Sequence, residues 1–118
     1  MATDWNPVSV EEAIREKANQ ISQGVNVCDR TYRAYLEADR DFDVAVAKAF
    51  MSAEGSVDAR KHQTTLATVE ARQRRDDAEA AFRYADRRMK ALDNELRAYQ
   101  SIGASVRETY RAAGTGQV

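Results

Sequence analysis

The sequence is poor in the residues that bend, break or cross-link a chain. Its 118 residues include one proline and five glycines, too few for the frequent turns of a β-rich fold. A single cysteine, Cys28, excludes an internal disulfide and is typical of the reducing cytoplasm. Apolar runs stay below the ~18 residues of a membrane span, and the first residues lack the pattern of a signal peptide. These absences predict one cytoplasmic domain without a membrane partner.

Charge is nearly balanced over the whole sequence but not between its halves. The formal net charge is −1, which gives no bulk attraction to nucleic acid or to an anionic membrane. Residues 1–59 carry six Lys and Arg against eleven Asp and Glu, whereas residues 60–118 carry twelve against eight. Charged residues make up 31% and apolar residues 43%, a composition that favours α-helix. We therefore expect an all-α chain with an acidic first half and a basic second half.

A seven-residue repeat of apolar side chains runs through the first half of the chain. Ser9 and Glu12 have the spacing of a capping box, which predicts an extended leader over residues 1–8 and a helix over residues 9–54. One series of the repeat is Ile14, Ile21, Cys28, Tyr35, Phe42 and Ala49. The other series, offset by four, is Ala18, Val25, Tyr32, Asp39, Val46 and Ala53. Alternating spacings of four and three predict a helix packed against another helix.

Glycine and serine near the centre of the chain mark a turn between two helices. Gly55 suits the left-handed conformation at a helix end, and Ser56 suits the N-cap of the next helix. We expect that helix over residues 57–112, with residues 72–77 or 103 as the places where it could be interrupted, and a flexible tail over 114–118. Its seam joins the series Ala78, Ala85, Leu92, Tyr99, Val106, Ala113 and the series Phe82, Met89, Leu96, Gly103, Tyr110. The predicted fold is a long antiparallel helical hairpin that resembles a coiled coil.

A further apolar stripe lies on the second helix, roughly 140° from the seam that reaches back through Thr68 and Thr64. The members of this stripe are Ala59, His62, Leu66 and Val69. Either the helix changes register near residues 72–77, or the seam meets the first helix and the stripe meets another subunit. The second alternative is favoured and predicts a homodimer that forms a four-helix bundle.

Residues that carry chemistry are few in this sequence. His62 has no second histidine or cysteine with which to bind a transition metal, so a packing role is expected for it. Acidic residues spaced by two, at Asp39, Asp41 and Asp43 after Glu37, point to different sides of a helix and do not converge on a metal. No phosphate-binding glycine loop or nucleophile motif is present. We expect neither catalysis nor a cofactor nor a metal.

The acidic stretch has a structural role if the hairpin folds at Gly55. Folding there pairs residues whose numbers sum to about 110, which places the stretch beside Arg72, Arg74 and Arg75. A charge at the seam position of Asp39 is unfavourable unless it is matched. We therefore predict an ion pair between Asp39 and Arg75, or its neighbour Arg74, that sets the register of the two helices.

Two segments resemble small phage-encoded, all-helical proteins of unassigned activity. They are the turn AEGS at residues 53–56 with Arg60 after it, and QSIGASVR at residues 100–107, joined by the basic second helix. The likeness covers about residues 32–110. Such proteins tend to lie among early genes for recombination and replication. The resemblance implies a phage early protein in the cytoplasm of a bacterial host, and no catalytic residues.

Three functions are compatible with these patterns. The leading hypothesis is a non-enzymatic assembly protein that forms a homo-oligomer and offers a helical face to another phage or host protein. The alternative is a single-stranded nucleic-acid-binding accessory of phage recombination or replication. Its contacts would be Arg83, Arg87, Arg88 and Lys90 of the basic helix. A third hypothesis is an inhibitor of a host enzyme whose acidic residues 37–43 mimic nucleic acid.

Overall fold

The computed structural model describes residues 5–115, which form three helices and contain no strand. Helix α1 spans Pro7–Ser52, α2 spans Val57–Ala67, and α3 spans Val69–Thr115. The chain is all-α, with α1 as one arm of a helical hairpin and α2 and α3 as the other, which confirms the predicted fold class. None of the described helices combines the length and the apolar character needed to cross a lipid bilayer.

Helix α1 begins two residues before the predicted position because Asn6, and not Ser9, caps it. The Ser9 backbone N–H donates to Asn6 Oδ1 at 3.0 Å, and the Asn6 backbone N–H donates to the Ser9 hydroxyl oxygen at 3.1 Å. Pro7 occupies the first helical position, where an N–H would have no helical partner. Pro7 and Val8 of the predicted leader are therefore helical, and residues 1–4 lie outside the described residues.

The turn between α1 and α2 begins two residues earlier than expected, because α1 ends at Ser52 and not at Glu54. Gly55 has a φ of 100°, which is the left-handed conformation that favours glycine. The Ser56 hydroxyl accepts a hydrogen bond from the Ala59 backbone N–H at 3.2 Å and so caps α2. Both features are those that the sequence predicts at these two positions.

Two side chains of α2 reach back and fasten the end of α1. The Gln63 amide Nε2 donates to the Glu54 carbonyl at 2.7 Å, and its Oε1 accepts from the Glu54 backbone N–H at 3.3 Å. Arg60 Nη2 donates to the Phe50 carbonyl at 3.1 Å, and its guanidinium carbon lies 4.6 Å from the centre of the Phe50 ring. These contacts satisfy backbone groups that the helix end leaves without helical partners.

The second arm breaks at Thr68, between α2 and α3. Thr68 has φ −114° and ψ 14°, and its backbone N–H donates to the Thr65 carbonyl at 3.3 Å. Its hydroxyl donates to the Thr64 carbonyl at 2.8 Å, a local bond that competes with regular helical geometry. The places where the sequence could interrupt this helix, residues 72–77 and 103, do not interrupt it, because α3 is continuous through both. Of the predicted tail, Gly114 and Thr115 belong to α3, and residues 116–118 lie outside the described residues.

The chain forms two compact units, each with few buried apolar residues. Unit 1 comprises residues 1–25 and 87–118, and unit 2 comprises residues 26–86. In unit 1, Val10 lies against Gly103 and Gly24 lies against Met89, so α1 and α3 run antiparallel there. In unit 2, the rings of Tyr32 and Phe82 are 4.9 Å apart and Asp39 lies 3.9 Å from Arg75, so the helices are antiparallel there too. The buried apolar residues of the described chain are Val10 and Leu92 in unit 1 and Ala71 and Ala85 in unit 2.

The face that α1 buries differs from the predicted face in one of its two series. The first series, from Ile14 to Ala49, is half-buried throughout. Ala18, Val25 and Tyr32 of the second series are exposed, whereas Asp39, Val46 and Ala53 are half-buried. A third series of α1, one position before the second, also belongs to the buried face. Its members are all buried or half-buried: Val10, Lys17, Gly24, Thr31, Ala38 and Ala45. The apolar pattern missed this series because it includes a lysine, a glycine and a threonine.

The buried face of the second arm follows one register from α2 to Val106. Its members are Thr64, Thr68, Ala71, Arg75, Ala78, Phe82, Ala85, Met89, Leu92, Leu96, Tyr99, Gly103 and Val106, all buried or half-buried. Tyr110 and Ala113, which the sequence places in the seam, are exposed. The seam register therefore continues backward through the threonines of α2, and the larger apolar side chains of that helix point elsewhere.

Candidate interaction surface

The apolar side chains of α2 and the start of α3 lie outside the core of unit 2. Leu66 is 76% exposed and Val69 is 53% exposed. His62 is exposed as well, and Ala59 is half-buried. We call Ala59, His62, Leu66 and Val69 the outer patch. The exposed leucine and valine lie one helical turn apart and give this surface of unit 2 an apolar character.

The outer patch is exposed because the opposite side of this segment, which is buried, carries Thr64 of α2 and Thr68 at its C-cap. Thr64 is 7% exposed and Thr68 is 5% exposed. The Thr64 hydroxyl donates to the Arg60 carbonyl at 2.8 Å, so its burial leaves no unsatisfied hydroxyl. Burying these small side chains costs little, and a rotation that buried Leu66 would expose the seam of α3. The outer patch is therefore exposed because α2 buries its threonines in the same register as the buried face of α3.

A groove in unit 2 runs beside the outer patch and has a volume of about 460 Å³. Phe42 and Val46 of α1 line it together with the two buried threonines. The remaining lining residues are Thr65, Val69, Arg72, Gln73, Asp76 and Asp77. Val69 belongs to both the groove and the outer patch, so the two form one continuous surface.

The structure brings together Asp39 and Arg75, the predicted seam pair. Arg75 Nη1 lies 3.9 Å from Asp39 Oδ1, and Nη2 lies 3.4 Å from Asp76 Oδ1. The guanidinium carbon is 4.3 Å from the centre of the Phe42 ring. At 3.9 Å the contact with Asp39 is an ion pair too long for a hydrogen bond, and the stacking on Phe42 adds a cation–π contact beside it. The Arg75 guanidinium is engaged on three sides and is a structural group of unit 2.

The other acidic residues of α1 do not form a site. Glu37, Asp41 and Asp43 are exposed on different sides of the helix. Within residues 5–115, no group of three or more His, Cys, Asp or Glu residues is placed to hold a metal ion. Cys28 is a free, half-buried thiol.

The basic residues proposed for nucleic-acid contact are exposed on α3. They are Arg83 in unit 2 and Arg87, Arg88 and Lys90 in unit 1. Arg83 Nη2 lies 2.8 Å from Glu79 Oε1 one helical turn away. Arg88 Nη1 lies 3.8 Å from Glu95 Oε1. A phosphate would have to compete with these carboxylates, which lowers the net attraction.

Sequence reasoning missed an ion pair inside the seam of unit 1. Lys17 Nζ lies 2.8 Å from Glu95 Oε2, and the Lys17 side chain is 19% exposed. The hydrogen bond with Glu95 raises the pKa of Lys17, and the same bond lowers the pKa of Glu95. The signal that would have found it is the position of Lys17, seven residues after Val10 and seven before Gly24.

Comparisons with protein-family models, with curated proteins and with solved structures find no match to this chain. Its function must therefore be inferred from the outer patch, the groove and the charged surface.

Proposed function

We propose that the chain is a non-enzymatic assembly protein that forms a homodimer through the outer patch of unit 2. The remaining helical surface would then contact a phage or host protein in the cytoplasm of a bacterial host. The observation that carries this proposal is the exposure of Leu66 and Val69 next to an open groove that Phe42 and Val46 help to line. In a symmetric dimer the same residues are buried in both copies, so each of them contributes twice to the interface.

The energy available from the outer patch alone is small for a stable dimer. Burying one leucine or valine side chain contributes about 1.5–3 kcal/mol, so Leu66 and Val69 from two copies contribute roughly 6–12 kcal/mol. Association itself costs an estimated 4–15 kcal/mol. A dimer with a Kd near 1 μM needs about 8 kcal/mol net. The groove residues Phe42 and Val46 must therefore take part in the contact.

Light-scattering mass on a sizing column tests this proposal directly. We expect the wild-type chain to run as a dimer at low and at high salt, because burial of apolar surface drives the association. Leu66→Ser should shift the mass to that of a monomer. The matched control is Val44→Ser, since Val44 is an exposed valine of α1 at 52% exposure, outside the patch and the groove. A wild-type monomer at every concentration would refute the proposal.

Single-stranded nucleic acid remains a second candidate, favoured by one observation on α3. Arg87 is exposed and makes no ion pair within the part of the chain that the structure describes, and exposed Arg88 follows it. The double variant Arg87→Ala, Arg88→Ala should weaken oligonucleotide binding and reduce its salt dependence by about two phosphate contacts. Arg33→Ala is the control, because Arg33 is exposed on α1 and pairs with Asp29. Undetectable binding at low ionic strength would eliminate this candidate.

A further inference from the structure

We propose that a pocket in unit 1 binds one base of a single-stranded nucleic acid, while arginine and lysine side chains along α3 bind the phosphates beside it. This inference rests on the second candidate function, nucleic-acid binding, and names the residues of its site. It is independent of the homodimer. It follows from the residues that line the pocket and from the spacing of the cations on α3.

The unit 1 pocket lies between α1 and α3 and has a volume of about 460 Å³. Ile21 of α1 and Met89 of α3, both half-buried, are its apolar residues. Lys90, Asp93 and Asn94 of α3 complete the lining. Sites for small molecules typically have roughly 300–1,000 Å³, with apolar walls and a few polar groups. The unit 1 pocket therefore has the size and the composition that suit a flat ring with polar edges.

The α1 side of the unit 1 pocket is bordered by exposed apolar residues. Ala18 and Val25 lie three residues before and four residues after Ile21, so all three share one side of α1. Ala18 is exposed, and Val25 is 55% exposed. The heptad repeat places Ala18 and Val25 in the seam, and their exposure instead gives the pocket an apolar border against which the face of a base can pack.

Two polar residues of the unit 1 pocket can meet the edge of a base. Asn94 is exposed, and its side-chain amide makes no hydrogen bond within residues 5–115. An amide offers both a donor and an acceptor, which is the combination that pairs with base edges. Asp93 Oδ2 lies 2.9 Å from Arg97 Nη2, so the negative charge of Asp93 is balanced and does not repel a nearby phosphate strongly.

Cations follow one side of α3 past the unit 1 pocket. Arg87, Lys90, Asn94 and Arg97 are separated by three, four and three residues, a spacing that places them along one side of a helix. We call Arg87, Lys90 and Arg97, all of them exposed, the basic stripe. It extends roughly 15 Å along the helix axis, which is long enough to meet more than one phosphate of a strand. Arg87 makes no ion pair among the residues that the structure describes, so no carboxylate competes for it.

The arrangement of apolar and charged groups favours a nucleic acid over an acidic protein segment. The cations lie along the exposed stripe, whereas the unit 1 pocket beside it combines Ile21 and Met89 with the Asn94 amide. A nucleotide separates its groups in the same way, because its base is flat and its phosphate carries the charge. An acidic side chain carries its charge at the tip and would meet the Asp93 carboxylate in the pocket. A single strand fits better than a duplex, because its unstacked bases can leave the strand and enter a pocket.

Fluorescence anisotropy at low salt tests this site with two labelled strands of about twelve nucleotides, one of oligothymidylate and one abasic, with equal numbers of phosphates. Wild type should bind oligothymidylate roughly tenfold more tightly, because the abasic strand has no base to enter the pocket. Asn94→Ala should weaken oligothymidylate binding roughly fivefold, with an unchanged salt slope and unchanged binding of the abasic strand. Arg87→Ala should weaken the binding of both strands and reduce the salt slope by about 0.7.

The matched controls are Asn19→Ala and Arg15→Ala, which make the same changes on exposed residues of α1 in unit 1, on sides of the helix away from Ile21. Circular dichroism shows that each variant is folded. Equal affinity of wild type for the two strands would refute the base site while nucleic-acid binding stands. Undetectable binding of both strands would refute the site and the second candidate function together. Polyglutamate of equal charge that binds as tightly as oligothymidylate would assign the basic stripe to an acidic protein and overturn the inference.

Discussion

Two glycines show how single residues control the approach of α1 and α3 in unit 1. A Cβ at Gly103 would lie 2.9 Å from Val10 Cγ1, and one at Gly24 would clash with Met89 Sδ. Glycine in a helix interior costs up to about 1 kcal/mol relative to alanine, so local propensity favours replacing both. Contact with the opposite helix opposes that gain.

The two glycines should respond differently to substitution by alanine. Gly103→Ala should lower the free energy of unfolding by about 1 kcal/mol, because Val10 is β-branched, 1% exposed and unable to move aside. Gly24→Ala should be neutral within about 0.5 kcal/mol, because the flexible Met89 side chain can rotate away while the helix gains propensity. Urea unfolding measures both, and equal stabilisation in the two variants would contradict the close approach at Gly103.

The Lys17–Glu95 pair predicts a defined pH dependence. The pKa of Glu95 is lowered from its usual 4.5, so its contribution is present above pH 4.5 and is lost as pH falls through the folded-state pKa. The pKa of Lys17 is raised from 10.5, so its contribution is complete below pH 10.5 and is lost as pH rises beyond the folded value.

The variant Glu95→Gln should therefore be less stable than wild type at neutral pH, and the difference should shrink as the pH falls below 4.5. Thermal unfolding at a series of pH values measures the difference. Asp29→Asn is the control, since the Asp29–Arg33 pair is exposed and its loss should change little at any pH. A difference that stays constant down to the lowest pH would mean that the ion pair does not contribute.

Side-chain identity explains which pairs the sequence could predict. Asp39 is a charge in an otherwise apolar seam, so its need for a partner is evident, and folding at Gly55 supplies Arg75. Lys17 and Glu95 were not predicted, because a search for apolar residues at seven-residue spacing passes over charged ones. The aliphatic part of a lysine side chain nevertheless packs like an apolar side chain. A hydrophobic repeat therefore locates the seam but misses the polar residues that share it.

At the scale of elements, the turn from α1 to α2 depends on a side chain that no local pattern identifies. Gln63 bonds both the N–H and the carbonyl of Glu54, nine residues earlier. Gln63→Ala should lower the free energy of unfolding by about 1 kcal/mol, as expected for exposed hydrogen bonds. Gln23→Ala, on an exposed turn of α1, is the matched control. Equal stability of the two variants would show that the turn holds without Gln63.

Element boundaries were predictable only where a single residue decides them. Gly55 adopts the predicted left-handed conformation, and Ser56 forms the predicted N-cap of α2. The start of α1 was predicted too late because Asn6 can cap a helix as well as Ser9 can, and Pro7 fits both a leader and a first helical position. The break at Thr68 has no glycine or proline to mark it, so helix propensity does not reveal it.

At the scale of the molecule, the heptad repeat was sufficient to predict a helical hairpin, because it depends on many residues at once. Its division into two units was not predictable, since Gly24 lies beside the boundary in α1 but no glycine or proline lies near the boundary in α3, at residues 86–87. Few apolar residues are buried in either unit, which predicts modest stability for an isolated chain. Association would add stability that depends on protein concentration.

The thermal midpoint should therefore rise with the concentration of the wild-type chain, because binding between folded copies is coupled to folding. In Leu66→Ser the midpoint should be the same at every concentration, since the dimer contact is lost. Calorimetry over a hundredfold range of concentration measures this effect. A wild-type midpoint independent of concentration would count against self-association.

Trp5 packs edge-on against Tyr99 in unit 1, with ring centres 5.6 Å apart, and the sequence has no other tryptophan. Tryptophan fluorescence therefore reports on unit 1 alone, because unit 2 contains no tryptophan. Ellipticity, by contrast, reads the helices of both units. Denaturation curves from the two signals coincide if the chain melts as one cooperative body, and they separate if either unit survives the loss of the other.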